Sequence, residues 1–369
     1  MFQGIEESQH SVLSLFENVQ IKRKPHLLMK SPERIVKHIK IKDSSDLEHV
    51  FLMGSEIGEG GFGKVIAVRE KNTNAKWAMK SISKSLSGLK LVFLQREIQI
   101  LKMVNHPHIV YLDRVYESTK KIYLIMELCN GELWLLFKER KPFSESISKR
   151  ITTDLVSAVA YLHKNDIVHR DIKLENILLA KNPNDPSDEY YIKLSDFGLS
   201  VIKTGTGIES MLHDCCGTAL YMAPEMLSGS YSHQCDVWAI GVIIYLLIYG
   251  VYPFFSSNEK ELARKIMKDE VTYPLSKISK DAVDLIKQAL KKDPAYRITS
   301  AEMLDSKWLA GSSGRENNMM DMMKEWRDEI MAPMGEESDW VSMAETRTIR
   351  VHSYSGEKGM SIKRPSNPF

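Results

Sequence analysis

Two short runs hold the residue types that phosphoryl transfer requires: His169-Arg170-Asp171-Ile172-Lys173-Leu174-Glu175-Asn176 and, further along, Asp196-Phe197-Gly198. A phosphoryl group moves through a loose transition state, so a protein contributes positioning and charge neutralisation rather than covalent chemistry. Asp171 is the candidate base that accepts or orients the proton of an attacking hydroxyl, and Lys173 is placed to neutralise the transferred group. Asn176 and Asp196 offer oxygen ligands to Mg²⁺, a hard cation that prefers them. His169 reads better as packing beneath the Asp196 run than as a second base, and Phe197 reads as packing too.

The phosphate side of such a site is written earlier in the chain. Gly58-Glu59-Gly60-Gly61-Phe62-Gly63 fits G-x-G-x-x-G, a weak signal alone because dinucleotide-binding folds share it. Here strand-like Lys64-Val65-Ile66-Ala67-Val68 follows, so the glycines join two strands and leave backbone N–H groups free to lie over phosphates. Lys80, closing Trp77-Ala78-Met79-Lys80, can reach the α- and β-phosphates while pairing with Glu97 on a helical run. Taken singly these two are ordinary surface charges. Together with the glycines they complete a site.

The elements that must position these groups follow from composition and pattern. A chain of 369 residues, 43% hydrophobic and 27% charged, is long enough for one large two-lobed domain or two ordinary ones with tails. A net charge of +2 gives no reason to expect nucleic acid as a partner. The longest apolar run, residues 237–249, is too short to span a bilayer, so no membrane is expected. The first residues lack a secretory signal, Phe2 breaks the myristoylation pattern, and the chain ends without a prenylation box. Four cysteines without zinc-type spacing fit free thiols in a reducing compartment, cytoplasmic or nuclear.

Residues 1–47, with basic Lys22-Arg23-Lys24 and interrupting Pro25 and Pro32, are expected to lie outside the main core. Strand-like runs at 64–69, 76–82 and 122–127 predict a small sheet-rich lobe over about 51–128. One helix interrupts it at 89–104, where Phe93, Leu94, Ile98 and Leu101 recur at helical spacing. From about 132 to 309 the pattern turns helical, with runs at 144–164, 235–249, 259–268, 280–291 and 300–309. The polar stretch 181–189 marks a loop just before the strand into Asp196. The expected class is α+β in two lobes. Residues 310–369 form a tail with one amphipathic helix candidate, carrying Met319, Met320, Met322, Met323 and Trp326, followed by a segment of disordered composition.

In this order, from Phe51 to about Leu309, the motifs resemble the eukaryotic protein kinases, closing with Ala223-Pro224-Glu225 and an arginine, Arg297, able to bury an ion pair with Glu225. Lys173 and Gly217-Thr218 resemble the serine/threonine branch. Met126-Glu127-Leu128-Cys129-Asn130-Gly131-Glu132-Leu133, Tyr161-Leu162-His163 and Tyr249-Gly250-Val251-Tyr252-Pro253-Phe254-Phe255 resemble the calcium/calmodulin-dependent group. Lys76-Trp77-Ala78-Met79-Lys80, Asn165-Asp166-Ile167-Val168-His169 and Met322-Met323-Lys324-Glu325-Trp326 are similar to the serine/threonine kinase 33 family. The resemblance implies the two-lobed kinase fold, ATP and Mg²⁺, and protein substrates. It implies an ATP site drawn from Ile57, Gly58, Glu59, Gly60, Gly61, Phe62, Gly63, Lys64, Val65, Ala78, Lys80, Glu97, Met126, Glu127, Cys129, Glu132 and Leu178. Within it Met126 guards the back of the adenine pocket, Glu127 and Cys129 present backbone to adenine, and Glu132 meets ribose or substrate. Asp236 would brace the catalytic loop, and Leu101, Leu112, His169 and Phe197 would stack as a spine.

The activation segment departs from its relatives. Asp214 stands where many carry a phosphorylated threonine before Cys216-Gly217-Thr218, and a fixed carboxylate offers Arg170 less charge than a phosphate. The expectation is basal activity without loop phosphorylation, with Arg170, Asp214 and Thr218 as the regulatory set; Thr204, Thr206 and Ser210 are further candidate phosphosites. Ala219 replaces a common proline, and Cys215-Cys216 reads as small-residue packing. Acidic residues outnumber basic ones in the tail helix candidate, so calmodulin is not an expected partner. Leu246 occupies a site that is acidic in strongly Arg-directed relatives. The competing reading is a nucleotide-binding scaffold without turnover, against which stand Lys80, Glu97, Asp171, Lys173, Asn176 and Asp196.

Overall fold

The computed structural model describes residues 35–60, 63–85, 89–202, 219–229, 232–274 and 278–310. Gly61, Phe62, Asp214 and Thr218, with the rest of 203–218 and the tail from 311, lie outside the described residues.

The small lobe begins with β1 (Lys37–Lys40), α1 (Ser45–Val50), β2 (Phe51–Gly60), β3 (Gly63–Glu70) and β4 (Lys76–Ser83). It continues with α2 (Leu89–Met103), β5 (Leu112–Glu117) and β6 (Lys121–Glu127). Its strands form one six-stranded sheet in the order β1-β5-β6-β4-β3-β2, antiparallel except for β1 on β5. Apolar residues alternate through β4 and β6, so Trp77, Met79, Tyr123 and Ile125 meet Leu47, Phe51 and Val68 in a core of their own on one face. Ile82, Leu94, Ile98, Leu101, Leu112 and Leu124 belong instead to the large core that runs on into the second lobe.

The expectation that residues 1–47 lie outside the main core is corrected for its last part, 35–47; residues 1–34 lie outside the described residues. Lys37–Lys40 forms an edge strand parallel to β5, and Leu47 is 1% exposed within the small-lobe core. Lys-His-Ile-Lys carries no apolar alternation to announce a strand, because it is held by backbone pairing and by a bond from His38 to Glu117 at 2.9 Å.

The second lobe contains β7 (Gly131–Glu132), α3 (Leu133–Arg140), α4 (Glu145–Lys164), β8 (Ile167–Val168), β9 (Ile177–Leu179), β10 (Ile192–Leu194) and β11 (Val201–Ile202). Then come α5 (Pro224–Leu227), α6 (Gln234–Tyr249), α7 (Glu259–Lys268), α8 (Lys280–Ala289), α9 (Ser300–Leu304) and α10 (Lys307–Ala310). Helix α6 is apolar around its whole circumference and buried nearly throughout, as a central helix must be. It ends where Gly250 takes a left-handed φ of 75° and returns its N–H to Leu246. Leu246 is itself 1% exposed, so it faces the core and not a substrate. Helix α4 starts at Ser144, whose hydroxyl accepts from the amide of Ile147. The single helix expected over 300–309 is two short ones, because the amide of Ser306 turns back to the carbonyl of Met303 and the Ser306 hydroxyl accepts from Leu309.

Candidate active site

The catalytic run leaves β8 with unusual backbone. Arg170 has φ of 71° and Asp196 has φ of 62°, left-handed conformations that cost non-glycine residues on the order of 1–3 kcal/mol each and persist only when their surroundings enforce them. For Arg170 the enforcement comes from α6. Asp236, 1% exposed, accepts the amides of His169 at 2.9 Å and Arg170 at 2.8 Å, and His163 Nε2 lies 2.9 Å from the same carboxylate. Burial alone would raise the Asp236 carboxyl, but the bond and charge of His163, then the other donors, hold it below the usual range. His163 is in turn placed by Ser300 at 2.9 Å.

Asp171, Lys173 and Asn176 converge. Lys173 Nζ donates to Asp171 Oδ2 at 2.8 Å, and Asn176 Nδ2 donates to the same oxygen at 2.9 Å and to the Asp171 carbonyl at 2.8 Å. Burial raises the Asp171 carboxyl, Lys173 offsets part of that, and the nearby Asp196 charge raises it further. For Lys173 burial works downward, but the Asp171 carboxylate outweighs it and lifts the ammonium above the usual lysine range. Asp196 lies beyond β10, and its Oδ1 accepts the amide of Gly198 at 3.2 Å. His169 is fully buried, with Nε2 3.0 Å from the Ser195 carbonyl and its ring 5.0 Å from Phe197. Leu101, Leu112 and Phe197 share the continuous core with which this ring packs.

Across the cleft, Lys80 Nζ donates to Glu97 Oε1 at 2.6 Å, with side-chain exposures of 12% and 2%. Burial would lower the Lys80 ammonium, but Glu97 and then Asp196 reverse the balance and hold it above the ordinary range, which places Asp196 within electrostatic reach of Lys80. Of the glycine run, Gly58 and Gly60 end β2 and Gly63 starts β3, with Gly60 facing Gly63. Gly63 has φ of 156°, and a Cβ there would stand 1.9 Å from the Ser81 carbonyl, so only glycine lets β3 approach β4 this closely. Val65 is opposite Lys80 and Ala78 opposite Met126, which puts all four beside the cleft. Ile57 and Lys64 sit on β2 and β3, Lys64 donating to Glu56 at 3.0 Å. Gly58 is buried on β2, and Glu59 is opposite Lys64.

Between the lobes, Glu127 ends β6, Cys129 is half-buried, and Glu132 is 5% exposed beside Leu178, its partner in the β7–β9 pairing. Arg297 grips Glu225 with two bonds, at 2.6 and 2.9 Å, far from Asp171 and Asp196 in sequence and anchored in the helical lobe. Lys193 is fully buried beside Glu127, and its one signal in the sequence is a charge between two apolar residues of a strand, Ile192-Lys193-Leu194.

The protein kinase domain model matches residues 51–309. Serine/threonine-protein kinase 33 of Mus musculus is 42% identical over 343 residues, covering 90% of this chain and 68% of that protein. A probable myosin light chain kinase of Dictyostelium discoideum is 36% identical over 315 residues, 80% of this chain and 96% of that one. Calcium/calmodulin-dependent protein kinase type 1B of Rattus norvegicus is 35% identical over 289 residues, 77% of this chain and 82% of that one. With its motifs in order and gathered at one cleft, this chain belongs to the protein kinase family, as a serine/threonine kinase of the calcium/calmodulin-dependent group.

Proposed function

We propose that the cleft takes ATP with its adenine against the backbone of Glu127 and Cys129, between Ala78 and Val65 above and Leu178 below, with Met126 at the back. The phosphates then run beneath the β2–β3 hairpin toward Lys80, whose raised ammonium keeps its charge for them. Asp171 orients the hydroxyl of the protein substrate and takes its proton as that oxygen bonds the γ-phosphorus of ATP and the bond from the γ-phosphorus to the β–γ bridging oxygen breaks, with ADP as the leaving group. Lys173 stands 2.8 Å from that carboxylate, close enough to neutralise the group in transfer. The observation that carries this reading is the doubly held Asp171 Oδ2, with Lys173 and Asn176 as donors.

Mg²⁺ fits the residues present. The Asn176 amide nitrogen is committed to Asp171, which leaves its oxygen as a donor, and Asp196 supplies a carboxylate nearby. Two hard oxygens suit an ion that takes its other ligands from phosphate and water, and the ion would supply charge neutralisation on the phosphates. Arg170 is close enough to Arg96 that, after burial, its charge is what most lowers the Arg96 guanidinium, a field that favours an acidic activation segment such as one bearing Asp214. Equal activity in phosphatase-treated wild type, Asp214→Ala and Asp214→Asn would remove Asp214 from that role.

We also propose the cytoplasm, with the nucleus as a second compartment, from four cysteines without zinc-type spacing, and no calmodulin binding, because acidic residues outnumber basic ones in the tail helix candidate; calcium-dependent capture by residues 311–335 would overturn the latter. The central test is transfer of labelled phosphate from ATP to basic Ser, Thr and Tyr peptides. Mg²⁺-dependent labelling of the Ser and Thr peptides supports the proposal. Nucleotide binding without transfer would favour the scaffold.

A further inference from the structure

Lys193 is 0% exposed, and its side-chain nitrogen lies at the junction between the lobes. Its Nζ lies 2.9 Å from Glu127 Oε2. The other carboxylate oxygen of Glu127 accepts the amide of Tyr111 at 3.0 Å, and the Glu127 amide donates to the Tyr111 carbonyl at 3.0 Å. The carboxylate is therefore held from two sides, by the chain entering β5 and by β10.

The surroundings give this pair its reach. On β10, Lys193 is opposite Leu178 of β9, and the same strand runs directly into Asp196. Next to it Leu194 takes the amide of Val110 at 3.0 Å, donates to the His108 carbonyl at 2.9 Å and bridges Ile109. A connection between Glu127 and Lys193 thus ties together the backbone that faces adenine, the residue below the adenine and the strand that delivers a metal ligand. Desolvating two ions is costly, and a well-packed apolar pair often serves stability equally well, so stability alone gives little reason to keep this one.

We propose that Lys193 is a positioning residue for the nucleotide: through Glu127 it fixes the lobe junction at the height and angle at which adenine and the phosphates can be held at once. This rests on the nucleotide reading above. Cys129 reports on the same pair, since burial first and Glu127 second push its thiol up while Lys193 pulls it back down. Removing Lys193 leaves the Glu127 charge uncompensated beside that thiol.

The test uses the full-length chain as Lys193→Met, Lys193→Arg and the double variant Lys193→Met with Glu127→Leu. KM for ATP, kcat on a basic Ser peptide, Tm and the rate of Cys129 alkylation by iodoacetamide, followed by mass spectrometry, are read for each. The expected result is a KM for ATP raised about tenfold in Lys193→Met, against less than about threefold in kcat, with Cys129 alkylated several-fold more slowly. Lys193→Arg, which keeps the charge, recovers most of the KM. The double variant, free of an unpaired buried ion, recovers Tm but keeps the raised KM, and it decides the matter if Lys193→Met does not fold. Wild-type KM in the double variant, or in Lys193→Met itself, would overturn the proposal and leave the pair a matter of packing. A wild type that neither binds ATP nor transfers phosphate would instead sink the nucleotide reading beneath it.

Discussion

The catalytic loop and the Lys80–Glu97 pair are both buried, but they are held in different ways. The loop is fixed by backbone: Asp236 on the central helix takes two successive amides, Ser200 donates to the His169 carbonyl, and Lys173 and Asn176 share one oxygen of Asp171. The pair is a bond between two side chains, one on β4 and one on α2. Helix α2 is fastened again at its far end, where Lys102 lies 3.2 Å from His38 and His38 reaches Glu117, which also pairs with Lys84. One bond between side chains joins α2 to β4 here, whereas two backbone amides of the loop are bound to Asp236 of α6. The contrast leads us to propose that the large lobe is preformed for chemistry and that the small lobe is where activity can be adjusted.

The sharpest break in this contrast comes from Asp171→Asn, which should lower kcat by about 10²- to 10⁴-fold, the usual worth of a positioned base. Because burial already disfavours the ionised Asp171, the neutral amide should leave Tm unchanged or slightly raised in a thermal melt. Asp236→Asn should act on the opposite quantity. It removes a carboxylate that serves two amides and His163, and should cost on the order of 2–4 kcal/mol in urea unfolding. A stable Asp236→Asn with normal kcat would refute the preformed loop.

Glu97→Gln sharpens the other half. Losing a charged partner of Lys80 should reduce kcat/KM by roughly 5- to 100-fold, equivalent to about 1–3 kcal/mol, with little change in Tm. Acid should act on the loop before it unfolds the protein. The Asp171 carboxyl is held above its ordinary value, so kcat should fall as pH drops through that raised value, while the Asp236 carboxyl, held low, stays ionised and keeps its bonds to still lower pH. The smallest effect belongs to His38→Ala, about 0.5–1.5 kcal/mol by denaturant titration, with a modest loss of activity as the far end of α2 loosens.

The site was more legible in the sequence than the frame around it. Asp171, Lys173, Asn176 and Asp196 are polar residues at fixed spacings in short runs, and chemistry restricts what those spacings can mean. Lys80 and Glu97 could be named because a helix and a strand-like run surrounded them, although only the fold brings them to 2.6 Å. β1 was not legible, since an edge strand held by backbone pairing needs no apolar pattern. Lys193 was hidden for the opposite reason: a lysine ordinarily signals solvent, and nothing local says that Glu127 waits for it across the lobe junction.

The most direct measurement sets ATP affinity beside phosphate transfer in Asp171→Asn, using a fluorescent nucleotide for the first and labelled ATP with a basic Ser peptide for the second. Nucleotide affinity within about threefold of wild type, with transfer lost by at least about a hundredfold, is the predicted result, because the role proposed for Asp171 is on the hydroxyl and not on ATP. Transfer near the wild-type rate would contradict it, and with it the assignment of the chemistry to the large lobe.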